Sequence, residues 1–218
     1  LIVWFGCHGP VGAAPPDGFV EIRKAVPGVQ VELRYLTQDN FVGEPIDGYE
    51  ADRCYVTAEA ARALGKVQHE LAHVGLALKV FDAYRPQRAV DHFVRWAEDP
   101  DDTKMKSEYY PNVDKEHLFR DGYIAARSGH SRGSTVDVTI VSTDAGGPVE
   151  LDMGTGWDYF GPRSWPLSLE VTPQQRANRI LLQSLMVKHG FRPLAEEWWH
   201  FTLENEPFPE TYFDFTVR

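Results

Sequence analysis

The chain has 218 residues, of which 43% are hydrophobic and 25% charged, values that are ordinary for a globular protein. This length is sufficient to bury a core and favours one domain, or at most two. The formal net charge of −10, from 22 basic against 32 acidic residues, argues against nucleic acid and anionic membrane surfaces as partners, because both need a basic face.

Residues 1–16 differ from the rest of the chain. An apolar opening, Leu-Ile-Val-Trp-Phe-Gly-Cys, leads to small residues at 12–14 and to two prolines. This order resembles the end of a secretory signal peptide and its cleavage site, with a disordered tail as the alternative. We therefore expect export to the periplasm or another extracytoplasmic space, against a cytoplasmic location; whether Cys7 carries a lipid stays open. No other segment approaches the about 18 apolar residues of a membrane span.

We assign residues 17–218 to one catalytic domain. Alternation of apolar and polar residues over 19–36 predicts an edge or half-buried strand, and glycine, proline and acidic residues over 37–52 predict a loop. Thr57 is the predicted N-cap of a helix that runs to about residue 74. Its apolar residues follow the spacing of one buried stripe, formed by Ala60, Leu64, Val67, Leu71 and Val74.

The second half of the chain mixes strands and helices without a regular β-α-β order. We predict a buried strand over 76–83, a helix from Pro86 to about Glu98, and a surface excursion over 99–121. Beyond it we predict two strands within 124–140 bent at Gly129 and Gly133, a long loop over 142–170, a capped helix from Thr172 to Gly190, and a last strand over 199–203. These elements predict an α+β fold with a small, mainly antiparallel sheet flanked by helices.

Two short motifs far apart in the chain carry the chemistry. The run from Ser128 to Asp137 has the pattern S-x-H-x6-D, and the run from Glu197 to His200 has the pattern E-x-x-H. Together they offer two imidazoles and two carboxylates, which is the set that a catalytic zinc needs for three ligands and a nearby base. For His130 and Asp137 to face one metal, the chain has to bend at Gly133. For Glu197 and His200, the strand has to start after Glu197 or contain a bulge.

With three further segments, these motifs resemble the zinc D-alanyl-D-alanine dipeptidase family. The segments are Leu-Arg-Tyr-Leu-Thr-Gln-Asp-Asn-Phe-Val-Gly at 33–43, Asp-Ala-Tyr-Arg-Pro at 82–86, and Met-Gly-Thr-Gly-Trp-Asp-Tyr-Phe at 153–160. The five pieces occur in order between about residues 20 and 202. The resemblance implies the DD-peptidase/hedgehog-like zinc peptidase fold and hydrolysis of the small dipeptide D-Ala-D-Ala.

The resemblance also implies a role for each site residue. One Zn²⁺ per chain would be bound by His130, Asp137 and His200, with Glu197 as the general base. Arg85 would stabilise the oxyanion that develops on the substrate. For substrate binding, Ser128 would contact the carboxylate of the dipeptide, Asp158 would receive its ammonium group, and Tyr35 would line the pocket.

A competing metal motif lies within the predicted helix over 57–74. His69-Glu-Leu-Ala-His73 matches H-E-x-x-H, in which two histidines one helical turn apart bind zinc beside a glutamate base. At 100° per residue, however, both histidines fall about 180–220° from the centre of the apolar stripe, on the side of the helix that faces solvent. The favoured interpretation is an exposed helix surface, with a site completed by Glu98 as the alternative.

Two other functions remain open from the sequence. One is a D,D-carboxypeptidase or endopeptidase that cuts longer cell-wall peptides on the same scaffold. The other is a zinc-binding module without catalysis, although such a module would need neither Glu197 nor Arg85. The sequence does not indicate the oligomeric state.

Overall fold

The computed structural model describes residues 14–144 and 146–218, so most of the predicted leader lies outside the described residues. The helices are α1 (Ile22–Ala25), α2 (Ala58–Ala72), α3 (Gln87–Glu98), α4 (Lys106–Tyr109) and α5 (Pro173–Lys188). The strands are β1 (Phe19–Glu21), β2 (Gln30–Val31), β3 (Tyr55–Thr57), β4 (Leu76–Asp82), β5 (Thr135–Ser142), β6 (Val149–Glu150), β7 (Phe191–Pro193) and β8 (His200–Leu203). None of the described helices is long and apolar enough to cross a bilayer.

The main sheet confirms the predicted α+β class. Its strands lie in the order β2-β4-β5-β8-β7, and β6 pairs with β5. Among the strands that the structure describes, only β2 and β4 pair in parallel, and β1 and β3 form a separate antiparallel pair. The central strand β5 is buried over almost its whole length, so side chains on its inner positions are held away from solvent.

Local capping signals place the two longest helices. The Thr57 hydroxyl accepts a hydrogen bond from the backbone N–H of Ala60 at the start of α2. Thr172 and Gln175 form the predicted reciprocal capping box at the start of α5. The buried stripe of α2 ends one turn earlier than predicted, since Val74 lies beyond the helix and is 68% exposed.

Two predicted strand regions are wrong. Residues 19–36 form two short strands separated by α1 and a turn, because Gly28 adopts a left-handed conformation that an extended strand does not allow. Residues 124–134 contain no strand, since a 3-10 turn over Gly129–Arg132 precedes β5. The strand β7 was also missed, and the 99–121 excursion carries α4 and a 3-10 turn.

Candidate metal centre

Three adjacent strands place Asp82, Asp137 and His200 in one row across the sheet. Asp82, the last residue of β4, pairs in register with Asp137 of β5, and Asp137 pairs with His200, the first residue of β8. Strand β8 therefore starts after Glu197, which solves the spacing problem in the E-x-x-H motif without a bulge. Residues 118 positions apart in the chain meet because three antiparallel strand ends coincide at one point of the sheet.

His130 reaches this row of residues through a turn. His130 lies in the 3-10 turn before β5, and Gly133 ends that turn with a φ of 82°. A side chain is excluded at Gly133, because a Cβ there would lie 2.3 Å from the Phe19 ring. This confirms the predicted bend at Gly133, and it turns the His130 imidazole towards Asp137.

Three potential ligand atoms converge at nearly equal separations. His130 Nε2 lies 3.3 Å from His200 Nδ1 and 3.3 Å from Asp137 Oδ1, and His200 Nδ1 lies 3.1 Å from the same Asp137 oxygen. A tetrahedral ion with ligand distances of about 2.0–2.1 Å needs ligand atoms about 3.3 Å apart. Asp137 Oδ1 is buried and satisfied by no hydrogen bond in this geometry. The residues present therefore fit a divalent metal ion.

Surrounding groups orient these three side chains. The Nδ1 of His130 lies 2.7 Å from the carbonyl oxygen of Ala83, so Nδ1–H donates there and Nε2 is free to bind a metal. The Trp157 indole N–H donates to Asp137 Oδ2 at 3.2 Å. Burial opposes ionisation of Asp137, but the two imidazoles outweigh it and hold the pKa of this carboxyl well below its usual value. Asp137 is thus kept as an anion.

Glu197 lies beside the three potential metal ligands but is not one of them. Its Oε2 is 3.4 Å from His200 Nδ1, and its side chain is 18% exposed. Burial raises the pKa of Glu197 to about 7, and the charge of Asp137 acts in the same direction. A carboxyl group with a pKa near neutrality can both accept and return a proton, as a general base requires.

Arg85 lies between the carboxylates of the row and two aromatic rings. Its Nε donates to Asp82 Oδ2 at 2.9 Å, and its Nη2 lies 3.6 Å from Asp137 Oδ2. The guanidinium also lies over the rings of Tyr35 and Phe93, at 5.1 and 5.2 Å. Arg85 therefore pairs with Asp82 and faces the cavity at the same time.

Asp158 and Tyr35 form a buried pair at the same site. The Tyr35 hydroxyl donates to Asp158 Oδ2 at 2.6 Å, and Asp158 is the only described non-glycine residue with a positive φ, at 58°. Such backbone strain is typical of functional positions. Burial raises the pKa of Asp158 well above its usual value, and the charge of Asp137 adds to this shift. A cation close to Asp158 would offset both effects.

All eight site residues predicted from the sequence line one cavity. Its volume is roughly 190 Å³, below the about 300–1,000 Å³ of pockets for drug-sized ligands. The cavity is also lined by aromatic residues that the motifs did not identify, among them Phe41 of the predicted 37–52 loop and Tyr123 just after the 99–121 excursion. Its predicted site residues are Tyr35, Arg85, Ser128, His130, Asp137, Asp158, Glu197 and His200.

Two supporting residues were not recognised as parts of the site. Asp82 was quoted only as part of the 82–86 segment, yet it is fully buried, accepts a hydrogen bond from the Tyr49 hydroxyl at 2.6 Å and approaches His130 Nδ1 at 3.4 Å. Trp157 was part of a quoted motif but received no role. Position at the end of a buried strand was the one signal that could have identified Asp82.

The competing H-E-x-x-H motif forms no comparable cluster. His69 on α2 and His73 directly after it are both exposed, and Glu70 contacts Lys188 and His189 of the neighbouring helix end at 2.8 and 2.7 Å. Within the part of the chain that the structure describes, only His130, Asp137 and His200 come together as three metal-ligand residues. The exposed-surface interpretation of this motif agrees with the structure.

Comparison with known proteins identifies the group to which this site belongs. The family model described as D-ala-D-ala dipeptidase, peptidase M15, matches residues 16–218. The proteins named D-alanyl-D-alanine dipeptidase in Streptomyces coelicolor and Enterococcus faecalis are 44% and 41% identical over 200 and 201 residues, covering 91% and 92% of this chain and 98% of each relative. The Escherichia coli K12 protein of that name is 34% identical over 184 residues, 84% of this chain and 83% of its own. The chain is therefore a metallopeptidase. It belongs to the D-Ala-D-Ala dipeptidase family.

Proposed function

We propose that this chain is a zinc-dependent peptidase that hydrolyses the dipeptide D-Ala-D-Ala. The observation that carries the proposal is the convergence of His130, Asp137 and His200 within ligand distance, with Glu197 beside them in the same small cavity. The names of the relatives supply the substrate, and the size of the cavity is compatible with it.

The donor set favours zinc among the divalent metals. Two imidazole nitrogens and one carboxylate oxygen form a common zinc site that leaves a fourth position open. A zinc ion bound there would polarise the scissile carbonyl and lower the pKa of a water molecule at the open position. No described cysteine belongs to this cluster, since Cys54 is buried in the hydrophobic core and burial raises the pKa of its thiol well above the usual range.

The remaining steps fall to side chains of this chain. Glu197 Oε2 accepts a proton from the attacking water and later delivers it to the nitrogen of the leaving D-alanine. The Arg85 guanidinium stabilises negative charge as it develops on the carbonyl oxygen, because the ion pair with Asp82 holds it in place before the reaction. Asp137 and the two histidines stay fixed through their hydrogen bonds and strand positions.

Asp158 accounts for recognition of the free amino end. The residue is 6% exposed, and it lines a cavity that is also lined by Asp137 and Glu197. A substrate ammonium would supply the positive charge that this group of carboxylates needs when Asp158 ionises. Tyr35, through its 2.6 Å hydrogen bond, orients the Asp158 carboxyl group for this contact.

We expect substrates with a blocked amino end to be cleaved poorly. N-acetyl-D-Ala-D-Ala and a pentapeptide ending in D-Ala-D-Ala should show kcat/KM values at least ~10²-fold below that of D-Ala-D-Ala, because a buried charged group is left without its partner. Steady-state assays of released D-alanine measure this ratio. Asp158→Asn should reduce this ratio, because it should lower kcat/KM mainly for the free dipeptide. Asp144→Asn, at an exposed aspartate, serves as the matched control. Equal cleavage of the pentapeptide and the dipeptide would favour the carboxypeptidase alternative.

The second histidine motif should have no part in metal binding or catalysis. We expect the double substitution His69→Ala and His73→Ala to leave one zinc per chain and near wild-type turnover, because both side chains are exposed. Metal analysis of the purified variant, together with the dipeptide assay, tests this. Loss of one equivalent of zinc would instead assign a metal site to α2.

A further inference from the structure

The cavity contains one arginine whose charge is not balanced by the protein. Five charged side chains line it, namely Arg85, Arg127, Asp137, Asp158 and Glu197. Arg85 is neutralised by Asp82 and lies near Asp137. Arg127, in contrast, forms neither an ion pair nor a side-chain hydrogen bond with any residue that the structure describes. Arg127 is exposed at the mouth of the cavity, so its guanidinium is free to contact an anionic group from outside the chain.

The position of Arg127 is held by an aromatic ring. Its guanidinium carbon lies 5.0 Å from the centre of the Tyr212 ring, a distance within the range of cation–π contacts. Arg132 lies over the same ring at 5.6 Å, but its Nε and Nη2 donate to Glu206 at 2.9 and 2.8 Å, and its Nη1 donates to the Tyr212 hydroxyl at 3.4 Å. The Tyr212 ring thus contacts two arginines. Arg132 is paired with Glu206, whereas Arg127 keeps its hydrogen-bond donors available.

Arg127 is also placed beside the metal ligands. It directly precedes Ser128, whose hydroxyl caps the turn by accepting the backbone N–H of His130 at 3.3 Å. Both residues line the cavity on the segment that carries His130. An anion bound by Arg127 and Ser128 would therefore lie next to the group undergoing reaction rather than in a separate pocket.

We propose that Arg127 binds the free carboxylate of the substrate and so selects peptides that end one residue after the cleaved bond. This inference rests on the proposed function, since it assigns the second charged end of the same dipeptide. Asp158 would receive the ammonium group, and a guanidinium is the side chain that matches a carboxylate with two parallel hydrogen bonds.

The test compares Arg127→Met, which keeps an unbranched side chain but removes the charge, with Arg127→Lys, on D-Ala-D-Ala and on its C-terminal amide. We expect Arg127→Met to raise KM for the free dipeptide at least about tenfold with little change in kcat, because a charge-assisted contact is lost. Arg127→Lys should recover part of this loss. For the amide, wild type and Arg127→Met should have the same kcat/KM. Arg62→Met, at an exposed arginine of α2, is the matched control.

Binding provides a measure that does not depend on turnover. In a Glu197→Gln background, calorimetry with D-Ala-D-Ala should give a Kd at least about tenfold higher when Arg127 is also replaced by Met. An unchanged KM and Kd in Arg127→Met, with wild type active on the dipeptide, would overturn the role of Arg127 and leave the proposed function intact. Failure of the zinc-loaded wild type to hydrolyse D-Ala-D-Ala would overturn the proposed function itself.

Discussion

Glu197→Gln is expected to keep its zinc and to lose turnover of D-Ala-D-Ala by a factor of at least about 10²–10⁴, the usual effect of removing a general base. Glu197 lies outside the three converging ligand atoms, 3.4 Å from His200 Nδ1, so its amide analogue should leave the metal ligands in place. The amide cannot accept the proton of the attacking water. Metal analysis and the dipeptide assay on one preparation measure the two properties together.

The adjacent residue offers a matched control. Glu196 is exposed and does not line the cavity, so Glu196→Gln should retain both zinc and activity. Substantial turnover by zinc-loaded Glu197→Gln would remove this residue from the mechanism. Loss of zinc from Glu197→Gln would mean that the carboxylate is a ligand rather than a base.

His130→Ala and His200→Ala are each expected to lose bound zinc, and turnover with it. Each change removes one of three protein ligands and leaves Asp137, a buried anion, with a single imidazole beside it. Asp82→Asn should have a graded effect, lowering metal affinity by about 10–100-fold, because Asp82 only supports His130 and Arg85. Zinc titration followed by chelator competition distinguishes the loss of a ligand from the weakening expected of Asp82→Asn.

A fold control is needed because these substitutions alter buried positions. Far-ultraviolet circular dichroism of His200→Ala should match that of wild type, since the site lies at the ends of strands rather than within the hydrophobic core. A folded His130→Ala or His200→Ala protein with one tightly bound zinc would place the metal elsewhere in the chain.

Local chemistry explains which parts of the fold could be predicted from sequence. The Thr57 and Thr172 caps form because a side-chain oxygen satisfies a nearby backbone N–H, an interaction that needs no distant partner. The apolar period of α2 likewise identified its buried face. By contrast, residues 19–36 alternate in polarity yet form two short strands and a helical turn, because the left-handed backbone at Gly28 interrupts the extended chain. Periodicity alone carries no information on such an interruption.

The candidate site could likewise be predicted only in part from the sequence. Motif spacing led to the correct prediction that Gly133 bends the chain between His130 and Asp137, and that β8 could begin after Glu197. The supporting contacts were not predictable, because Trp157 reaches Asp137 from a loop and Asp82 reaches His130 from the end of β4, in both cases between segments distant in sequence. Arg127 was missed for a related reason. Its importance lies in having no partner among the described residues, a property that only the assembled cavity reveals.

The most direct test of the account is a titration of metal-free protein with zinc while hydrolysis of D-Ala-D-Ala is recorded. We expect turnover to rise in proportion to added zinc, to reach its plateau at about one equivalent and to stay at background in Glu197→Gln, since one ion is bound by three protein ligands and needs one base. Turnover of the dipeptide by the metal-free protein, or a fully zinc-loaded wild type without activity on it, would contradict the account.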